Sequence, residues 1–114
     1  TFAPQALILL NSPFVQEQSR AFAARLLREC GDDSSKQIDL AYRLALARHP
    51  RDSERKSARE FLTSQSELIR RSRPVDQPLP VPHEISHGFD PAMAATLTDF
   101  CVALLNRNEF LYVR

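Results

Sequence analysis

The string with the most chemistry in it is His83-Glu84-Ile85-Ser86-His87. On a helix, histidines four residues apart face the same way and can share a zinc ion, while the glutamate beside the first activates the bound water. The surroundings oppose that geometry. Pro80 and Pro82 stand just upstream, Gly88 follows at once and Pro91 comes soon after, so a helix over 83–87 has room for barely more than one turn. A third ligand is lacking too. Glu109 lies in a suitable range downstream but within no helical Glu pattern, and the other histidine, His49, is far upstream. The chain is therefore read as having no metal site and no catalytic residue. His83 and His87 are the ligands a metal would use, and a zinc hydrolase built on them is the enzymatic alternative.

The second candidate is a basic stripe. Arg51, Arg55 and Arg59 recur every four residues, Arg48 and Lys56 stand close by, and Arg70, Arg71 and Arg73 follow at the end of the same run. Such a face suits phosphate or nucleic-acid contact. Asp52, Glu54, Glu60 and Glu67 are interspersed, however, and no aromatic residues interleave to stack on bases. Basic residues in a last helical turn also answer the helix dipole without any ligand. The stripe reads as a solvated helix face, with an anion-binding surface as its alternative and nucleic acid excluded. A formal net charge of +1 creates no whole-chain field toward polyanions.

Other chemistry has no constellation to support it. No GxSxG elbow occurs, and Gly31 and Gly88, the chain's 2 glycines, cannot form a phosphate-binding loop. Cys30 and Cys101 belong to no CxxC or Cys/His cluster, so neither covalent haem nor a thiol-rich zinc site is encoded. They read as small buried hydrophobes, with a disulfide between them left open.

The elements that would position these residues are helices. Over 38–69, Ile38, Ala41, Tyr42, Ala45 and Leu46 and then Ala58, Phe61, Leu62, Gln65, Leu68 and Ile69 recur at three- and four-residue steps. Ser34 and Gln37 fit a capping box, with Asp33 as the rival cap. Pro50 ends the first run near Arg48, and Asp52 or Ser53 starts the second, with Glu54 near its positive end. A short connection between two amphipathic runs predicts an antiparallel hairpin, taken as the element the rest packs around.

Upstream, 4–10 reads as a short apolar helix. Pro13 then starts another at its first turn, with Phe14, Gln18, Ala21, Phe22, Arg25 and Leu26 along one side and Gly31 as the left-handed stop. Half of the 8 prolines fall between Pro74 and Pro82, so 72–89 is predicted to be an extended connection. It is expected to wrap the bundle through Leu79, Val81, Ile85 and Phe89. Asp90-Pro91 opens the last helix, whose stripe is Leu97, Phe100, Cys101, Leu104 and Leu105. The apolar end of the chain, with Phe110 and Tyr112 as anchors, is expected to dock.

The fold expected is all-α: a single-domain bundle over 1–114, of about five helices, with the central antiparallel hairpin and the proline-rich crossover before the last helix. Its 114 residues, 43% apolar and 25% charged, suit one globular domain. No apolar run reaches the ~18 residues of a membrane span. Thr1 is not a natural start, and the chain is expected to be a piece of a longer protein.

Three blocks carry a family resemblance. They are Ala3-Pro4-Gln5-Ala6-Leu7 with Leu9-Leu10-Asn11-Ser12-Pro13-Phe14-Val15, then Ala41-Tyr42-Arg43-Leu44-Ala45-Leu46-Ala47-Arg48, then Leu104-Leu105-Asn106-Arg107-Asn108-Glu109-Phe110-Leu111-Tyr112-Val113. Together they resemble the C-terminal part of the planctomycete-specific domain of unknown function, found in large proteins that often carry a cytochrome-c-like domain. The sequence departs from the family at His49-Pro50-Arg51-Asp52, where a proline pair and a Thr-Pro start are more usual. The resemblance implies a parent protein exported to the periplasm or cell surface, with its haem in a domain absent here. It supplies no catalytic residues. The expected function is a non-catalytic accessory or interaction domain without a cofactor of its own. Its partners are other domains of the parent chain, with a separate protein or self-association as further options.

Overall fold

Asp90 and Pro91 open the helix on which the others converge. A computed structural model describes residues 13–72 and 90–109. These form four α-helices: α1 (Pro13–Cys30), α2 (Ser34–Leu46), α3 (Asp52–Ser72) and α4 (Pro91–Glu109), with no strand among the described residues. The all-helical expectation holds. The further helix expected over 4–10 lies outside the described residues. So do residues 73–89, with the anchors Leu79, Val81, Ile85 and Phe89, and the end of the chain with Phe110 and Tyr112.

The organising element is α4, which corrects the expectation that the pair over 38–69 plays that part. Helix α4 touches α1, α2 and α3, whereas α1 and α3 do not touch each other. It is buried nearly all round. Ala94, Ala95, Leu97, Phe100, Cys101 and Leu104 are fully covered, and Ala92, Val102 and Ala103 nearly so. The apolar spacing marked one stripe, but alanines occupy much of the remainder, and small side chains let neighbouring backbones approach closely. The polar residues are accommodated locally. Thr96 Oγ1 donates to the Ala92 carbonyl at 2.7 Å, Thr98 Oγ1 to Ala94 at 3.1 Å and Asn106 Nδ2 to Val102 at 3.0 Å. Each buried group thus spends its hydrogen on the preceding turn and asks nothing of the neighbouring helices.

Phe100 links α4 to both α2 and α3. Its ring centroid lies 6.5 Å from that of Tyr42 on α2 and 6.3 Å from that of Phe61 on α3, in tilted contacts. Around it pack Leu26 and Leu27 of α1, Ile38 and Ala41 of α2, and Ala58 and Leu62 of α3. Burying each large aliphatic or aromatic side chain contributes about 1.5–3 kcal/mol.

The expected face of α2 is the buried one, apart from the half-buried Leu46. On α3, Ala58 and Leu62 are buried, Phe61, Gln65 and Ile69 are half-buried, and Leu68 is 57% exposed. Helix α1 is rotated part-way from its expected side: Leu26 is buried and Phe22 packs half-buried against the core as expected, but the other four residues of that side do not. Ser19, Ala23, Ala24, Leu26 and Leu27 face inward, while Phe14 is 71% exposed and Gln18, Ala21 and Arg25 are also outside.

The helix ends follow capping chemistry. Gly31 takes φ 61° and its N–H bonds the Leu27 carbonyl at 2.9 Å, closing α1. Asp33, not Ser34, caps α2, its Oδ1 accepting from the Lys36 N–H at 3.2 Å. Gln37 completes no capping box. It is buried and donates Nε2 to the Gly31 carbonyl at 2.5 Å. Helix α2 stops at Leu46, with Ala47 left-handed at φ 59°, slightly before the expected end near Arg48.

Candidate functional site

The connection from α2 to α3 collects most of the charged chemistry, because two carboxylates there each hold several cations. Glu54 lies in the first turn of α3. Its Oε1 accepts the Arg51 backbone N–H at 2.8 Å, satisfying one of the unpaired donors that begin a helix. Arg48 forks onto the same carboxylate, with contacts of 2.8 and 2.9 Å, and Arg107 of α4 reaches it at 3.3 Å. The Arg48 guanidinium, foremost, holds the Glu54 carboxyl down at about 2.

Tyr42 lies against both of these arginines. The guanidinium carbons of Arg48 and Arg107 stand 5.7 and 5.9 Å from its ring centroid, and Arg107 also donates to its hydroxyl at 3.0 Å. Burial pushes the Tyr42 phenol above its ordinary value. The hydroxyl stays protonated and accepts from Arg107, so the arrangement clamps α2, α3 and α4 together at one end.

The second node is Asp39 on α2. His49 Nδ1 lies 2.8 Å from its Oδ1, Arg55 of α3 donates to the same oxygen at 3.1 Å, and Arg43 Nε donates to Oδ2 at 3.0 Å. The His49 hydrogen bond leads in lowering the Asp39 carboxyl below its usual range. An open groove of about 440 Å³ runs alongside, lined by residues that include Cys30, Ser35, Lys36, Asp39, Arg43 and Arg55. Desolvation, with Glu29 adding to it, raises the Cys30 thiol above the ordinary value. Cys30 and Cys101 are both free, and Cys101 is fully buried.

The structure divides the predicted basic stripe. Arg48 and Arg55 turn to Glu54 and Asp39, Arg70 bonds Asp90 at the start of α4, and Arg71 bonds Glu67 at 2.9 Å. Arg51, Lys56 and Arg59 remain exposed. Arg73 lies outside the described residues, as do His83, Glu84 and His87. Among the described residues, no group of three or more His, Cys, Asp or Glu side chains could hold a metal, and no helix is long and apolar enough to cross a membrane.

Sequence reasoning missed Asp39, Arg43 and Lys36 as a group, and Arg107 as a partner of Glu54. The Asp39–Arg43 spacing of four was a readable signal. The contacts of Arg55 with Asp39 and of Arg107 with Glu54 span 16 and 53 residues, and no local pattern announces them.

A second open groove lies between α1, α2 and α4. About 410 Å³ in volume, it has an apolar floor of Ala21, Phe22, Leu44, Ala45 and Leu105, bordered by Gln18, Arg25 and Arg28. Phe14 stands one turn before Gln18 on the same side of α1, and Leu44 is 41% exposed.

Residues 1–62 match the profile of a family described as PSD1, protein of unknown function (DUF1553). The match takes in α1, α2 and the first half of α3, and two of the three blocks that carry the resemblance; the third, from Leu104, lies beyond it. No curated protein and no solved structure matches the chain.

Proposed function

For a chain that belongs to the DUF1553 (PSD1) family of unknown function, we propose a non-catalytic role as a helical accessory domain that docks other parts of its parent protein. In this reading 1–114 is one helical domain, with α2 and α3 antiparallel. It forms the C-terminal part of a planctomycete-specific domain in a larger protein. That protein is exported to the periplasm or cell surface and associated with a cytochrome-c-like domain. The domain needs no cofactor of its own.

The observation that carries the reading is the apolar groove of α1, α2 and α4, with Phe14 at 71% and Leu44 at 41% exposure beside it. Large apolar side chains gathered around a concave surface favour a covering partner. The charged groups at the α2–α3 connection supply a complementary argument: the carboxylates of Glu54 and Asp39 are held ionised by cations, and Cys30 is held protonated.

Producing this chain and the rest of its parent as separate polypeptides tests the proposal. The two should form a complex, and Leu44→Asp should weaken it by at least ~30-fold, as loss of a buried anchor does. The melting temperature of the isolated chain should change little. Unaltered affinity in the Leu44→Asp variant would remove the groove as the docking surface. Metal analysis tests the non-catalytic part: purified protein should retain no stoichiometric zinc, and bound zinc lost in His87→Ala would restore the hydrolase reading.

A further inference from the structure

Asp39 is one carboxylate shared among several donors. His49, Arg55 and Arg43 all bond it, at 2.8, 3.1 and 3.0 Å. Lys36 stands one turn earlier on α2 and lines the same groove, and its ammonium has no described partner. The other acid in the groove wall, Glu29, is bonded by Arg25 at 2.6 Å. The groove wall thus carries three cations, Lys36, Arg43 and Arg55, against two carboxylates, Asp39 and Glu29, and Asp33 stands one turn before Lys36 as a further acid. Each guanidinium also keeps N–H groups beyond those it spends on Asp39.

We propose that this groove binds a tetrahedral oxyanion, the phosphate or sulfate group of a small ligand, between Lys36, Arg43 and Arg55, with the Ser35 hydroxyl as a further donor. Two planar guanidinium forks and an ammonium along one groove supply the donors and charge that such a group takes. The volume of about 440 Å³ lies within the roughly 300–1,000 Å³ of small-molecule sites. Asp39 then has a positioning role: it orients Arg43 and Arg55 from behind while its own charge moderates the affinity. The site shares no lining residue with the apolar groove, so it stands or falls independently of the docking function.

The experiment is a titration of the full chain with sodium phosphate, sodium sulfate and sodium chloride at matched ionic strength. Backbone amide NMR shifts and the melting temperature are both followed. Phosphate or sulfate should give saturable shifts at Ser35, Lys36 and Arg43 and raise the melting temperature with concentration, while chloride should give neither. Lys36→Gln, at an exposed position, and Arg43→Gln should each weaken the dissociation constant about tenfold. Asp39→Asn should tighten it several-fold even as it lowers stability, a pairing that a purely structural Asp39 would not produce. Whichever of phosphate and sulfate binds more tightly identifies the group. Equal effects of chloride, or unchanged affinity in both Lys36→Gln and Arg43→Gln, would overturn the proposal.

Discussion

Glu54 is the residue at which charge does most for this fold. It accepts from Arg51, Arg48 and Arg107, and its side chain is only 14% exposed. Glu54→Gln keeps the shape but removes the charge, and should cost about 1.5–3 kcal/mol in denaturant unfolding at pH 7, the worth of hydrogen bonds to an ionised group. Because its folded pKa is depressed to about 2, the stabilisation is full above the unfolded value of about 4.3 and disappears as pH falls from there toward 2. The stability curves of the wild type and the Glu54→Gln variant should therefore converge over that window. Asp99 carries the opposite sign. Burial raises its carboxyl, opposed only by the hydrogen bond from Gln65 Nε2 at 3.1 Å. A raised acid contributes stability when protonated and loses it as pH rises through the folded value. Asp99→Asn should consequently stabilise the chain at pH 7, on the order of 1 kcal/mol, with the advantage vanishing in acid.

At the scale of elements, two of the helix ends were legible because capping is local chemistry. Gly31 and the Asp90-Pro91 start stand where expected, and Asp90 Oδ1 accepts the Ala92 N–H at 3.0 Å. The inward face of α1 was legible only in part. Leu26 and the half-buried Phe22 meet the core as expected, but Phe14 is exposed and the rest of the inward face is the small residues Ser19, Ala23 and Ala24 with Leu27. Two left-handed residues permit a paired stability test. Gly31 at φ 61° has open space where a Cβ would go, so Gly31→Ala should lose only backbone comfort, about 1–2 kcal/mol. Ala47 at φ 59° already bears that strain, and Ala47→Gly should gain about 0.5–1 kcal/mol. Thermal melts of the two variants should move in opposite directions.

For the whole molecule, the helix-period pattern was enough to reveal an all-α fold, but not which helix lies at its centre. Amphipathic stripes identify helices that are half in water, and α4 escapes that signal by being apolar or self-satisfied on nearly every side. The Asp39 and Glu54 nodes escaped in part for a related reason: each joins helices whose approach is decided by packing on α4, so Arg55 and Arg107 meet carboxylates distant in sequence. This arrangement ranks the core substitutions. Leu104 is fully buried on the central helix, where neighbours on several sides limit collapse into the space it leaves, and Leu104→Ala should cost about 2–5 kcal/mol. Phe61, despite its larger side chain, is only partly buried, on a helix that touches α2 and α4 but not α1. Its truncation leaves a gap open to water and should cost less than that of Leu104. Urea unfolding of the two variants decides the matter: a larger loss at Phe61 than at Leu104 would return the centre of the fold to the α2–α3 pair.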